Sequence, residues 1–290
     1  FPKGYGAFYC MKYELSQRQY CNFLNTLAFT QQTNRYDAAL HFNSSRNFIK
    51  KTSGSPALFG CDAGDDAGNA TDATAAQLNE ADDGEWVACN YLSWMDGCAY
   101  ADWAALRPMT ELEFEKACRG GGVGAVSNEY AWGNTILEPF TSSLDNEGTA
   151  SETPNQGNCT YQSSYSDGPY RCGSYADGTS TRQNAGASFY GILELSGNLL
   201  EFAVSVGSGT GRTFTGLHGD GALSANGHAN TANWPGLSGG EVTGATGSGY
   251  RGGYWWYAAS YSRVSDRIQA DNASTSRGSH KGCRCVRSAP

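Results

Sequence analysis

The sequence reads as an irregular α+β protein, made of loops and short elements around aromatic anchors. Three observations lead there. Glycine (38) and tyrosine (17) are abundant while charged residues make up only 17% of the chain, a composition unlike that of a helical bundle. Apolar residues recur at helical spacing in only a few short windows. The glycine- and serine-dense stretch 204–249 is too long for a simple turn and reads as a large ordered surface loop. At 290 residues the chain is long enough to bury a substantial core.

The elements follow in order. Residues 6–13, with Phe8, Met11 and Tyr13 among small residues, suit a strand. Ser16 can cap a helix carrying Tyr20, Phe23, Leu24 and Leu27 on one face. Residues 30–83 read as a polar insertion whose later half is acidic. There Asp62, Asp65, Asp66 and Asn69 surround two glycines, but their spacing matches no calcium-binding helix-loop-helix, and a solvated acidic loop is the simpler reading. Trp94, Cys98, Tyr100, Ala101 and Trp103 suit a second helix. A third opens at Thr110, where Glu113 stands at capping-box spacing. Residues 120–191 are turn-rich, and 191–202 form a strongly apolar element. No repeat of solenoid length is visible.

Composition also excludes functions. A net charge of -8 and the lack of a basic cluster disfavour nucleic acid. Cysteines 10, 21, 61, 89, 98, 118, 159, 172, 283 and 285 form no CxxC pair, so a zinc site is not expected. Their even, dispersed set reads as an oxidised extracellular framework, with buried free thiols as the other reading. No apolar run approaches 18 residues. The start at Phe1 suggests a processed or excised segment of a longer protein.

The C-terminal run Gly249-Tyr-Arg-Gly-Gly-Tyr-Trp-Trp-Tyr-Ala-Ala-Ser-Tyr-Ser-Arg-Val-Ser-Asp-Arg267 is dense in aromatics and holds neither cysteine nor histidine. With Tyr13-Glu-Leu-Ser16, Asn90-Tyr-Leu-Ser-Trp-Met-Asp96, Arg107-Pro-Met-Thr-Glu-Leu-Glu-Phe114, Tyr130-Ala-Trp-Gly-Asn134, Leu195-Ser-Gly-Asn-Leu-Leu-Glu-Phe202 and Gly282-Cys-Arg-Cys285, it completes a series of blocks. Their order resembles that of the sulfatase-modifying-factor domain, the fold of the formylglycine-generating enzyme and a variant of the C-type lectin fold. The resemblance covers nearly the whole chain. It implies one domain over 1–290, with small twisted antiparallel sheets, two main helices and much irregular loop.

Members of this family differ in activity, so the site must decide. The formylglycine-generating oxidase carries two copper-binding cysteines after its Arg-Gly-Gly block. Here that stretch offers Tyr257, Ser260 and Ser262, and hydroxyls hold Cu(I) poorly. Copper is therefore not expected. His41, His218, His228 and His280 give no facial triad by spacing. The remaining resemblance is to non-catalytic secreted bacterial members and to the variable proteins of diversity-generating retroelements. Arg251-Gly-Gly-Tyr-Trp255, Arg263-Val-Ser-Asp-Arg267 and Gly282-Cys-Arg284 match their frames, departing at Tyr254 (usually Ser) and Cys283 (usually Phe).

The resemblance implies a binding face made by Trp256, Tyr257, Ser260, Tyr261 and Ser262, then Ile268, Gln269, Asp271 and Asn272. Tyrosine and tryptophan supply contact area at low entropic cost, and serine and asparagine adapt. Trp255 is expected in the core, and Arg263 and Arg267 are expected as buried struts. Two structural calcium sites are also implied. One uses the side chains of Asn158 and Asp167 with the carbonyls of Cys159 and Pro169; the other uses Glu194 and Glu201 with the carbonyls of Gly197 and Leu199. The leading expectation is a secreted or cell-surface bacterial module that binds a protein or glycan. The alternatives are a subunit of a larger surface or secretion assembly, and an enzyme with an atypical site in a groove beside the 204–249 loop. Sequons occur at Asn43, Asn69, Asn158 and Asn272.

Overall fold

Capping decides where the helices begin. In the computed structural model, which describes residues 1–40, 45–63, 73–122, 124–138, 144–162 and 167–290, Ser16 opens helix α1 (Gln17–Leu24) through reciprocal bonds with Gln19. Helix α2 (Phe29–Arg35) follows almost at once. It lies in residues expected to belong to the polar insertion, because it has no apolar stripe to announce it. Side-chain bonds hold it instead: Gln32 donates to the carbonyls of Leu24 and Ala57, and Arg35 pairs with Asp96 at 3.0 Å. Helices α3 (Trp94–Trp103) and α4 (Glu111–Arg119) start where the sequence places them, capped by Ser93 with Asp96 and by Thr110 with Glu113. A single turn, α5 (Gly209–Arg212), lies in the glycine-rich loop.

The strands are short. In chain order they are β1 (Phe8–Cys10), β2 (Ile49–Lys51), β3 (Phe59–Cys61), β4 (Arg107–Pro108), β5 (Leu144–Asp145) and β6 (Thr153–Pro154). Then come β7 (Leu200–Val204), β8 (Leu237–Ser238), β9 (Glu241–Val242), β10 (Ser248–Arg251), β11 (Lys281–Gly282) and β12 (Cys285–Ser288). One sheet has the order β1-β12-β4 and is antiparallel; a second has the order β10-β7-β11. In the second, β10 pairs with β7 antiparallel and β11 lies parallel to it, the one parallel pairing among the described strands. Residues 252–280 cross over as one long loop and bring β11 in alongside β7. Three two-stranded pairs, β2-β3, β5-β6 and β8-β9, complete an α+β architecture.

The core joins α1, α3, β7 and the glycine-rich loop. Phe23 meets Tyr100 edge-on at 5.8 Å, and Phe202 lies between Trp94 and Tyr250. Phe214, Trp234 and Val242 from the 204–249 stretch are buried in the same cluster, so that stretch covers the core rather than only the surface. The insertion contributes too, since Ile49, Phe59 and Cys61 are buried there. Of its acidic half, Asp62 pairs with Lys50 at 3.3 Å, whereas Asp65, Asp66 and Asn69 lie outside the described residues.

The cysteines correct the oxidised-framework expectation: all are free thiols in this structure. Cys21, Cys61, Cys89, Cys98, Cys283 and Cys285 pack inside the main apolar cluster, where a thiol behaves as a small hydrophobe. Burial pushes the Cys10 thiol up to about 12, which keeps it protonated and unreactive. With so little regular hydrogen bonding, rigidity comes from buried ion pairs. Arg107 donates to both oxygens of Glu113, at 2.8 and 2.6 Å, and Arg284 pairs with Glu201 at 2.8 Å. Removing one member of such a pair strands the other charge and costs about 3–5 kcal/mol.

Candidate ligand-binding face

Strand β10 ends at Arg251, and this side chain organises everything after it. Its guanidinium, stacked 4.9 Å from the Phe114 ring, donates to Glu111, Glu115 and the carbonyls of Val264 and Asp266. Arg267 closes the frame by two bonds to the same Glu111, at 2.8 and 3.0 Å. Arg251 is thus the buried strut. Arg267 is half-exposed, contrary to expectation, and Arg263 is partly exposed and donates to Asn128.

Beyond Arg251, Gly252 and Gly253 take φ of +98° and +75° and turn the chain back. The turn buries Trp255, whose backbone N–H reaches Asn198 O and whose indole N–H reaches Ser279 O. It leaves Trp256 58% exposed and Ile268 59% exposed. The same segment carries a row of rings. Tyr257 lies 4.1 Å from Tyr254 and 4.5 Å from Tyr261, and Tyr254 lies 4.8 Å from His280. Gln269 fixes the row by donating to the Tyr257 hydroxyl at 3.2 Å, and Asn272 donates to Gln269 at 2.6 Å.

Of the expected contacts, Trp256, Ser260, Ile268, Asp271 and Asn272 are exposed and Tyr257, Tyr261 and Gln269 partly so, and Tyr257, Tyr261, Gln269 and Asn272 are joined to one another by ring contacts and hydrogen bonds. Ser262 is a correction: it is 0% exposed, packed under Gly253, because the 3-10 turn Ala259–Ser262 folds it inward. Tyr254 and His280 belong to the row although sequence reading did not select them. Burial and the neighbouring Lys281 ammonium push the His280 imidazole down to about 4, so it is a neutral ring in this row at ordinary pH.

The other predicted positions are dispersed. His218 accepts from the Ser288 N–H and His228 contacts Arg35, so neither lies in the row with His280; His41 lies outside the described residues. Among the described residues, no three His, Cys, Asp or Glu side chains are grouped to hold a metal ion. For the first implied calcium set, Asn158 is buried with its amide spanning Glu138 N–H and Gln183 O, and Asp167 is exposed. The Cys159 thiol donates to Ser196 O, and the Pro169 carbonyl already accepts from Arg46 at 2.6 Å, so a cation there would compete with a guanidinium.

The second set has a different character. Glu194 and Glu201 each leave one buried carboxylate oxygen without a partner, a cost that a cation would remove. Their other oxygens are engaged, Glu194 by the Gly173 N–H at 2.7 Å and Glu201 by Arg284. Gly197 turns between them at φ +89°, and the Leu199 N–H donates to Glu14. Of the sequons, Asn158 is buried, Asn272 is exposed, and Asn43 and Asn69 lie outside the described residues.

A family model described as sulfatase-modifying factor enzyme 1-like domain matches residues 4–289. The chain belongs to that family. Within the sulfatase-modifying factor enzyme 1-like family, a formylglycine-generating enzyme from Streptomyces coelicolor is 48% identical over 46 residues, a match covering 16% of this chain and 14% of that protein. Two solved structures align over nearly all of the chain. PvdO from Pseudomonas aeruginosa does so at 15% identity and a TM-score of 0.47, covering 97% of this chain and 80% of its own. Variable protein 1 from Treponema denticola does so at 14% identity and a TM-score of 0.45, covering 97% and 84%.

Proposed function

We propose that this member of the family is a non-catalytic, extracellular module that binds a protein or glycan through the face around Trp256. The observation that carries the reading is the combination of exposed Trp256 and Ile268 with a tyrosine row already ordered by tilted ring contacts and by Gln269. A face ordered before binding loses little further entropy when it closes on a partner. Large exposed apolar residues set among polar ones are the usual centre of such contacts.

The rest of the geometry favours recognition over chemistry. The face carries no thiol, and its titratable imidazole, His280, is held neutral against the Tyr254 ring. The enzymatic alternative places a groove beside the glycine-rich loop, where backbone bonds from Ser205 N to Gly247 O and from Tyr250 N to Gln269 O draw the strands together.

A structural calcium ion at Glu194 and Glu201 belongs to the same proposal. It would satisfy the two unpartnered oxygens and tie the 194–201 turn to the strand that supports the face. The binding reading is tested by replacing Trp256 with alanine and measuring attachment to immobilised glycans and bacterial surface proteins. Loss of attachment with an unchanged melting temperature supports it. Undiminished attachment refutes it.

A further inference from the structure

A second recessed surface lies away from the aromatic row, between the segment after β1 and the backbone around Arg171. It is a cavity of about 510 Å³ walled by Met11, Tyr13, Trp86 and Cys172, within the size range of small-molecule sites. Its walls are fixed by main-chain bonds. Cys172 N donates to Trp86 O at 2.9 Å, and Leu193 N donates to Lys12 O at 2.9 Å. Two rings remain available, with Trp86 45% and Tyr13 40% exposed.

The charge in this cavity is one-sided. Lys12 and Arg171 both line it, and among the described residues neither side chain forms an ion pair, although the Arg171 backbone N–H donates to the Glu152 carboxylate and its charge acts on the buried Glu194. The Arg171 guanidinium donates only to the carbonyls of Glu152, Cys172 and Gly173. The Lys12 ammonium lies 5.3 Å from the Tyr13 ring. Glu14 is the acidic residue of the lining, but its carboxylate is buried and faces inward, accepting from Asn198 at 2.5 Å and from the Leu199 N–H at 3.0 Å. Ser16 and Gln19 are occupied with each other at the helix cap.

From flat aromatic walls beside two cationic side chains that form no ion pair among the described residues, we infer a binding site for a small ring-bearing carboxylate. The ring would lie against Trp86 and Tyr13 while the carboxylate meets Lys12 and Arg171. An aryl carboxylate and a uronic acid share this chemistry, and the experiment separates them. The inference does not depend on the function proposed for the Trp256 face.

Calorimetric titration of the full chain with phenylacetate and with galacturonate provides the test, with phenylacetamide and methyl galactoside as uncharged counterparts. One of the two acids is expected to bind with Kd of about 1 mM or tighter, and about tenfold more tightly than its uncharged counterpart. Lys12 is exposed, so Lys12→Glu keeps the fold, checked by melting; it should weaken binding by about tenfold or more. Trp86→Ala should do likewise. No heat from either acid at about 10 mM overturns the site, as does binding indifferent to Lys12→Glu. Loss of binding on Trp256→Ala, with none on Trp86→Ala, would move the ligand to the C-terminal face and equally overturn it.

Discussion

A Cβ on Gly253 would stand 2.5 Å from Ser262 Oγ and 2.9 Å from Ser262 Cα, so the end of the β10 arm and the turn that carries Tyr261 are in direct contact. Gly253 also has φ of +75°, a conformation that other residues adopt only under strain. Gly253→Ala is therefore expected to cost about 2 kcal/mol or more and to loosen the face. Denaturant unfolding measures the loss, and proton exchange at the amides of residues 257–262 reports the loosening. A variant as stable as wild type would mean that the turn is not held in this way.

The shared carboxylate of Glu111 makes a second expectation specific. It accepts from both Arg251 and Arg267, but only Arg251 is buried. Arg251→Gln should destabilise the chain by about 3–5 kcal/mol, because Glu111 loses its buried counter-charge. Arg267→Gln should cost about 1 kcal/mol or less, since a half-exposed pair is screened by solvent. Equal losses would contradict the assignment of Arg251 as the strut.

Much of this arrangement was legible in the sequence, and the parts that were not share a cause. Helix α4 was readable because its cap and its apolar face agreed, at Thr110 with Glu113, and α3 from its run of apolar and small residues. Helix α2 was not, because Gln32 and Arg35 hold it by long-range bonds that leave no periodic pattern. Ser262 was selected as a contact because the resemblance places it in the run between the arginine frames, and only the inward fold of the 3-10 turn removes it. Tyr254 and His280 are separated in sequence and meet only because residues 252–280 loop back onto β7.

His280 offers a pH test whose sign is fixed. Its folded-state value is lowered from 6.5 to about 4, so the unfolded chain binds a proton there more readily than the folded one. Its contribution to stability is present above 6.5 and is lost as pH falls toward 4. Titration of the imidazole by NMR should give a midpoint near 4, with Tyr254 ring signals shifting in step. A midpoint near 6.5 would place His280 in water rather than in the ring row.

Calcium should raise the melting temperature of the wild-type chain, with a smaller rise for Glu201→Gln and none for the double variant Glu194→Gln, Glu201→Gln. Both oxygens now without partners would be satisfied in the loaded protein. Scanning calorimetry with calcium, and with magnesium as the control, measures this. Equal rises in all three proteins would remove the site from the 194–201 turn.

The most direct measurement compares wild type with Trp256→Ala and Ile268→Asp on an array of bacterial and host glycans and a library of bacterial surface proteins. Both residues project into solvent, so the folded state should be unaffected and any change belongs to the face. The wild-type chain is expected to give discrete partners that both variants lose, at unchanged melting temperature. Partners retained by both variants, or no partner for the wild-type chain, would contradict a binding role for this face.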